Sequence, residues 1–190
     1  MKFFNLCLIA LAIVFATGCS SSPHKGQSEY VQLIDSKTAG DKQFAGLYNN
    51  FEFRGTLLTT EIHQGIHKRM TEFYDWDETL REEKLQKRLS KAQTETRIFM
   101  SFFTPKGKDD NLTTSKTIWK LYLHVNGQRY EGKPKKAKLN LSEAIAIFPY
   151  HNRWTTAYYV DFPVPTASAE SSKARYEITG PLGKRDVVFP

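Results

Sequence analysis

Two histidines stand four residues apart in His63-Gln64-Gly65-Ile66-His67. On a helix that spacing puts both imidazoles on one face, where they can share a metal ion. Zinc proteases of the His-Glu-x-x-His type need a glutamate directly after the first histidine to activate water. Gln64 occupies that position, and it cannot act as a base. A zinc site takes four ligands, and the chain marks no third protein ligand, although Glu61 is near. Both histidines also flank an apolar stripe, where a boundary histidine is ordinary. The expectation is no bound metal and no cofactor. The alternative is a metal-dependent hydrolase using His63 and His67.

The densest basic run is Lys133-Pro134-Lys135-Lys136-Ala137-Lys138. Lys133, Lys135, Lys136 and Lys138 could meet the phosphates or carboxylates of an envelope polyanion. Lysines and a proline also guard exposed sheet edges against pairing with other chains, and the run is read first in that way. Tyr150-His151-Asn152-Arg153-Trp154 joins aromatic and polar groups in a turn. His151 and Arg153 there could hold an anion, but Trp154 is expected to pack into the core at a strand start. The chain has no Gly-x-Ser-x-Gly elbow, Walker phosphate loop or dinucleotide glycine pattern. No catalytic residue is assigned, and the expected role is non-enzymatic.

The third reactive group is a thiol. Lys2 precedes an apolar stretch from Leu6 to Ala16, which is too short to span a bilayer comfortably. Ala16-Thr17-Gly18-Cys19 follows, and then Ser20-Ser21-Ser22. This arrangement resembles the lipobox of bacterial lipoproteins. The resemblance implies a signal peptide over residues 1–18, cleavage before Cys19, and lipid attachment at Cys19. It also implies membrane attachment through that lipid. Ser20 stands where an Asp often retains such proteins at the inner membrane, so the outer membrane is the expected location, with the body in the periplasm or at the cell surface. Each buried methylene contributes about 0.8 kcal/mol, so several acyl chains hold a protein firmly.

Cys7 and Cys19 are the two cysteines of the chain. With both consumed, the body has no disulfide and no thiol nucleophile. A core must hold it, and 13 Phe, 9 Tyr and 3 Trp supply one. The formal charge of +7 favours anionic surfaces. A protein or envelope-polymer partner is expected, and nucleic acid is not.

These groups need elements to position them. Residues 19–43 read as the lipidated N-terminus and a tether, with a short strand at Tyr30-Val31-Gln32-Leu33-Ile34. Residues 44–190 read as one domain. Phe51 to Leu57 alternates as a strand. Leu58, Ile62, Ile66, Met70 and Phe73 then recur at helical spacing, and Asp75 and Glu78 have the spacing of a capping box for a second helix. The two make a helical hairpin inserted at about 59–93. Arg97 to Thr104 is apolar enough for a strand covered on both faces. Trp119 to Val125 alternates and turns through Asn126-Gly127, which predicts a hairpin with Leu123 opposite Tyr130. Asn140 and Glu143 predict a capped short helix ended by Pro149. Trp154 to Phe162 alternates, Ala167 to Lys173 reads as a loop, and a last hairpin begins at Tyr176. The pattern predicts a mainly β fold, an immunoglobulin-like antiparallel β-sandwich carrying a helical hairpin.

Overall fold

The structure is a computed structural model that describes residues 25–190. Cys19 and the segment 1–18 lie outside the described residues. The elements run α1 (Lys25–Asp35), β1 (Thr38–Ala45), β2 (Tyr48–Leu57), α2 (Thr60–Tyr74), α3 (Glu78–Ala92) and β3 (Thr96–Phe103). They continue with β4 (Lys120–Val125), β5 (Gln128–Glu131), β6 (Lys133–Lys136), α4 (Leu141–Ile147), β7 (Thr156–Phe162), α5 (Thr166–Ser171), β8 (Arg175–Gly180) and β9 (Gly183–Val188). The fold is mixed α and β, mostly strands, with two antiparallel sheets and five helices among the described residues. One sheet has the order β1-β2-β3-β7-β6, and the other has β5-β4-β8-β9.

Period-two alternation explains how the layers stack. On β3, Ile98, Met100 and Phe102 point to one side, where they share a core with Leu121 and Leu123 of β4 and Tyr176 and Ile178 of β8. That core joins the two sheets. Phe99, between them on the strand, faces the other way and packs with Ile34 of α1, Ile62 and Ile66 of α2, and Phe148. Helices α1, α2 and α4 therefore cover the outer face of the five-stranded sheet, while Ala169 of α5 joins the core between the sheets. β3 is buried on both faces, which is why its sequence is almost continuously apolar.

The chain changes sheets at Gly132. β5 belongs to the four-stranded sheet and β6 to the other, with one residue between them. A Cβ at Gly132 would lie 2.6 Å from Val160 Cγ1 and 2.7 Å from the Phe162 ring, so only glycine fits the corner. The β4–β5 hairpin turns through Asn126 and Gly127, both at positive φ, and pairs Leu123 with Tyr130 as its sequence predicts.

Five local expectations are corrected. Residues from Lys25 onward do not form a tether: α1 packs on the sheet and β1 completes its edge. Tyr30, Leu33 and Ile34 look like a strand as a run, but their spacing is that of one helical face, and all three contribute to the helix-side core. Asp75 does not cap α3. It ends α2 in the left-handed region at φ 45°, and Asp77 caps α3 by accepting from the Leu80 N–H at 2.9 Å. Residues Thr166–Ser171 form α5 rather than a loop, entered through Pro165 and anchored where Thr166 Oγ1 donates to the Glu95 carbonyl. Trp154 lies outside β7 and is 74% exposed, not packed in the core. The backbone turns before the strand begins, with the Trp154 N–H held by Asn152 Oδ1.

Candidate functional site

A cleft of about 380 Å³ opens between the α2–α3 hairpin and the start of β3. Its position follows from the caps. Thr59 starts α2 by accepting from the Ile62 N–H, and α2 then runs out over the sheet. Asp75 and Asp77 end one helix and begin the next with only Trp76 between them. Trp76 is thereby fixed at the hairpin's turn, stacked on Tyr74 at 5.4 Å and 9° and tilted against His67 at 5.9 Å. α3 returns along the cleft to Ala92.

The wall that α3 presents is cationic. Lys84, Lys87, Arg88 and Lys91 all line the cleft, together with Arg97 from β3. Their spacing along α3 is that of one helical face. Glu95 is the carboxylate of the lining, and it pairs with Lys91 at 3.1 Å. Met70, Trp76 and Ala92 supply apolar surface, and Lys84 Nζ rests 4.9 Å above the Trp76 ring.

Each cation is held differently. Arg97 donates to Asp161 on β7 through Nε at 2.5 Å and Nη2 at 3.0 Å. Lys135 reaches the same carboxylate at 3.1 Å, and Lys91 lies 3.6 Å from it. Burial pushes the Asp161 carboxyl up, but the bonds from Arg97 and Lys135 and the charges of Arg97 and Lys91 outweigh it and hold the group at about 2. Arg88 has no carboxylate partner among the described residues. Its guanidinium meets the thioether of Met70, with Nη2 to Sδ at 3.0 Å. Burial, with Arg97 nearby, lowers its affinity for the proton.

His63 faces this cleft, buried beneath the cations. Burial first, and then the charges of Arg88 and Arg97, hold its imidazole at about 4. It is neutral at neutral pH and a weak base. His67 is also buried, against Trp76, and its Nδ1 has no hydrogen-bond partner among the described residues. Among those residues no group of three His, Cys, Asp or Glu is placed to hold a metal ion, and the site surrounds His63 with cations that would repel one.

The other marked residues fall elsewhere. β6 forms an edge of the five-stranded sheet, and it carries Lys133, Lys135 and Lys136, with Lys138 just beyond. Of the run, Lys135 joins the Asp161 cluster beside the cleft floor. His151 is buried on the helix side, where its Nδ1 lies 2.9 Å from Ser101 Oγ and 3.0 Å from Thr155 Oγ1, which bond each other at 2.7 Å. This is a closed polar cluster in the interior, with burial lowering the imidazole pKa. The β1–β2 turn exposes Phe44, Leu47 and Tyr48, with Leu47 98% exposed. No helix among the described residues is long and apolar enough to cross a membrane.

The cationic stripe on α3 is a feature that the sequence reading misses. Its signal was present: basic residues at 84, 87, 88 and 91 repeat with helical period, as apolar stripes do. Read as single charges they pass for the solvated face of an amphipathic helix. No protein-family model, curated protein or solved structure matches the chain.

Proposed function

We propose that the protein is a lipid-anchored envelope protein, held at the outer membrane through Cys19, whose body is a non-enzymatic binding or scaffolding module. The observation that carries the binding role is the α2–α3–β3 cleft, where five cations face a single carboxylate of the lining beside the apolar surface of Met70, Trp76 and Ala92. A pocket of this size with a few convergent polar groups suits a small ligand. Binding is favoured over turnover because the base that faces the cleft, His63, is held at about 4 and abstracts protons poorly near neutral pH. The anchoring role rests on the lipobox-like Ala16-Thr17-Gly18-Cys19. Residues 1–18 are its signal peptide in this reading. The exposed Phe44, Leu47 and Tyr48 support a scaffolding contact in addition. The two antiparallel sheets with a shared core support an immunoglobulin-like sandwich as the finer description of the body.

Two measurements test the reading. Metabolic labelling with palmitate should mark the wild-type chain and not Cys19→Ser, and the variant should leave the membrane fraction. Native mass spectrometry of the wild-type chain, released from membranes, should show a small non-covalent adduct that Arg88→Gln loses. Labelling that persists in Cys19→Ser overturns the anchor. An adduct-free wild-type chain overturns the binding module.

A further inference from the structure

We propose that the α2–α3–β3 cleft binds a phosphate monoester, with Arg88 as the principal anion ligand and Lys84 and Lys87 closing on the remaining oxygens. This deepens the reading of the cleft as a binding site and rests on it.

The first support is the helix itself. Lys84, Lys87, Arg88 and Lys91 give four like-charged pairs at three- and four-residue spacing: 84 with 87, 84 with 88, 87 with 91, and 88 with 91. Each such pair weakens a helix. A helix that needed only to be soluble would relieve the stripe with glutamates on the same face. Glu83 lies four residues before Lys87 and Glu95 pairs with Lys91, but Lys84 and Arg88 have no carboxylate three or four residues away on the helix. The repulsion is concentrated where a ligand could relieve it.

The second support is Arg88. A guanidinium carries five N–H donors in a planar fork, which suits the oxygens of phosphate. A thioether is a weak acceptor, so the contact with Met70 leaves that capacity mostly unused. The half-buried guanidinium has exchanged water for neighbours that include no anion. Arg97 and Lys91, by contrast, are committed to Asp161 and Glu95.

The third support selects phosphate over carboxylate. Lys84, Lys87 and Arg88 have no ion pair with a carboxylate among the described residues, so three cations face one ligand. A carboxylate supplies one charge and two oxygens. A phosphate monoester carries close to two charges at neutral pH and three acceptor oxygens. The cleft of about 380 Å³ is much larger than phosphate alone, and Met70, Trp76 and Ala92 give the ester's organic part an apolar surface. The monoester could be soluble, as in a sugar phosphate, or part of a lipid, as in phosphatidic acid.

Lysine footprinting separates these sources. The full lipidated chain is reconstituted in phosphatidylcholine vesicles, and the acetylation rate of Lys84 and Lys87 is followed by mass spectrometry, with exposed Lys116 as the internal control. Glucose 6-phosphate is added in one arm, acetate in a second, and phosphatidic acid is mixed into the vesicles in a third. We expect Lys84 and Lys87 to be protected at least about fivefold relative to Lys116 by one of the two phosphate monoesters, and not by acetate at equal concentration. Protection by glucose 6-phosphate assigns a soluble source. Protection by phosphatidic acid alone assigns a lipid source. Arg88→Gln should lower the apparent affinity about tenfold or more, as loss of a charge-assisted fork does. Its melting temperature should hold or rise without ligand, since a half-buried charge with no anionic partner is removed. Equal protection by acetate, no protection by either monoester, or unchanged affinity in a folded Arg88→Gln overturns the proposal. If the native adduct exists but is no phosphate monoester, the binding reading stands and this assignment fails.

Discussion

Arg97 and Asp161 face each other in register across β3 and β7, and their side chains close a two-pronged ion pair on the helix-covered side of the sheet. Lys135, from the neighbouring edge strand, and Lys91, from α3, converge on the same carboxylate. One buried Asp thereby ties three strands and a helix together at the floor of the cleft. A fork of this kind is directional, so it sets the position of Arg97 as well as contributing energy.

Removing the acid should cost more than the pair contributes, because it strands charges already drawn from water. Asp161→Asn keeps the shape and loses the charge. Urea unfolding should show a loss of about 3 kcal/mol. The double variant Asp161→Asn/Arg97→Met should recover part of it. A loss below about 0.5 kcal/mol in the single variant would show that water solvates the cluster.

His63 makes stability depend on pH in a definite window. Its folded value, about 4, lies below the ordinary 6.5, so the unfolded chain takes up the proton first. Stability is therefore full above pH 6.5 and falls as pH drops toward 4. The slope integrates to about 3 kcal/mol. His67 and His151, whose values burial also lowers, add loss of the same sign. Asp161 acts further down: its contribution is present above its ordinary 3.8 and is lost as pH falls through about 2. Chemical denaturation at a series of pH values should show His63→Gln with a shallower fall between pH 6.5 and 4. Parallel curves for variant and wild type would mean that His63 is solvated.

Gly132 is the corner between the sheets, and its neighbours are two side chains buried in the shared core. Val160 and Phe162 cannot swing away as a surface chain would. Gly132→Ala should destabilise by about 1–3 kcal/mol through overpacking. Gly65→Ala is the comparison. Its Cβ would meet Leu33 Cδ2, but that is the end of a flexible side chain, and alanine also favours the helix. Thermal melts should rank the first variant well below the second.

The legible parts of the sequence were those where local chemistry and tertiary packing agree. The Asn126-Gly127 turn, the Asn140–Glu143 capping box and the apolar β3 all satisfy a local rule and the fold together. The misread parts were those where long-range contacts decide. Tyr30, Leu33 and Ile34 bury one narrow face against α2 and α4, with the Tyr30 hydroxyl donating to the Ile147 carbonyl 117 residues away. No local window contains that partner. Trp154 failed for the opposite reason, since it lies on the alternating pattern but the strand begins two residues later. The cleft was illegible because its parts come from α2, α3 and β3, and the charge stripe becomes a site only when the sheet faces it. The histidine pair at 63 and 67 lies on α2, and His63 lines the cleft.

The last prediction concerns β6, where edge protection and polyanion contact make opposite claims. β6 pairs with β7 on one side and has no strand on the other among the described residues, so its free backbone groups could template another chain. Lys133, Lys136 and Lys138 are exposed there, and Lys135 points to Asp161. Lys135 should therefore be spared in the test, since losing it perturbs the ion cluster. Neutralising Lys133, Lys136 and Lys138 together to Gln leaves the cluster intact. If the lysines guard the edge, the variant should aggregate faster on heating while its affinity for anionic vesicles stays within about twofold of wild type. If they form a polyanion contact, vesicle affinity should fall and the difference should shrink with salt, because exposed charges are screened beyond about 8 Å at physiological ionic strength. Pro134 lies inside the run and denies the edge a donor. Edge protection is the expected result. Light scattering and vesicle flotation on the same preparation decide between them, and a salt-sensitive loss of binding with unchanged aggregation would assign the run to a polyanion.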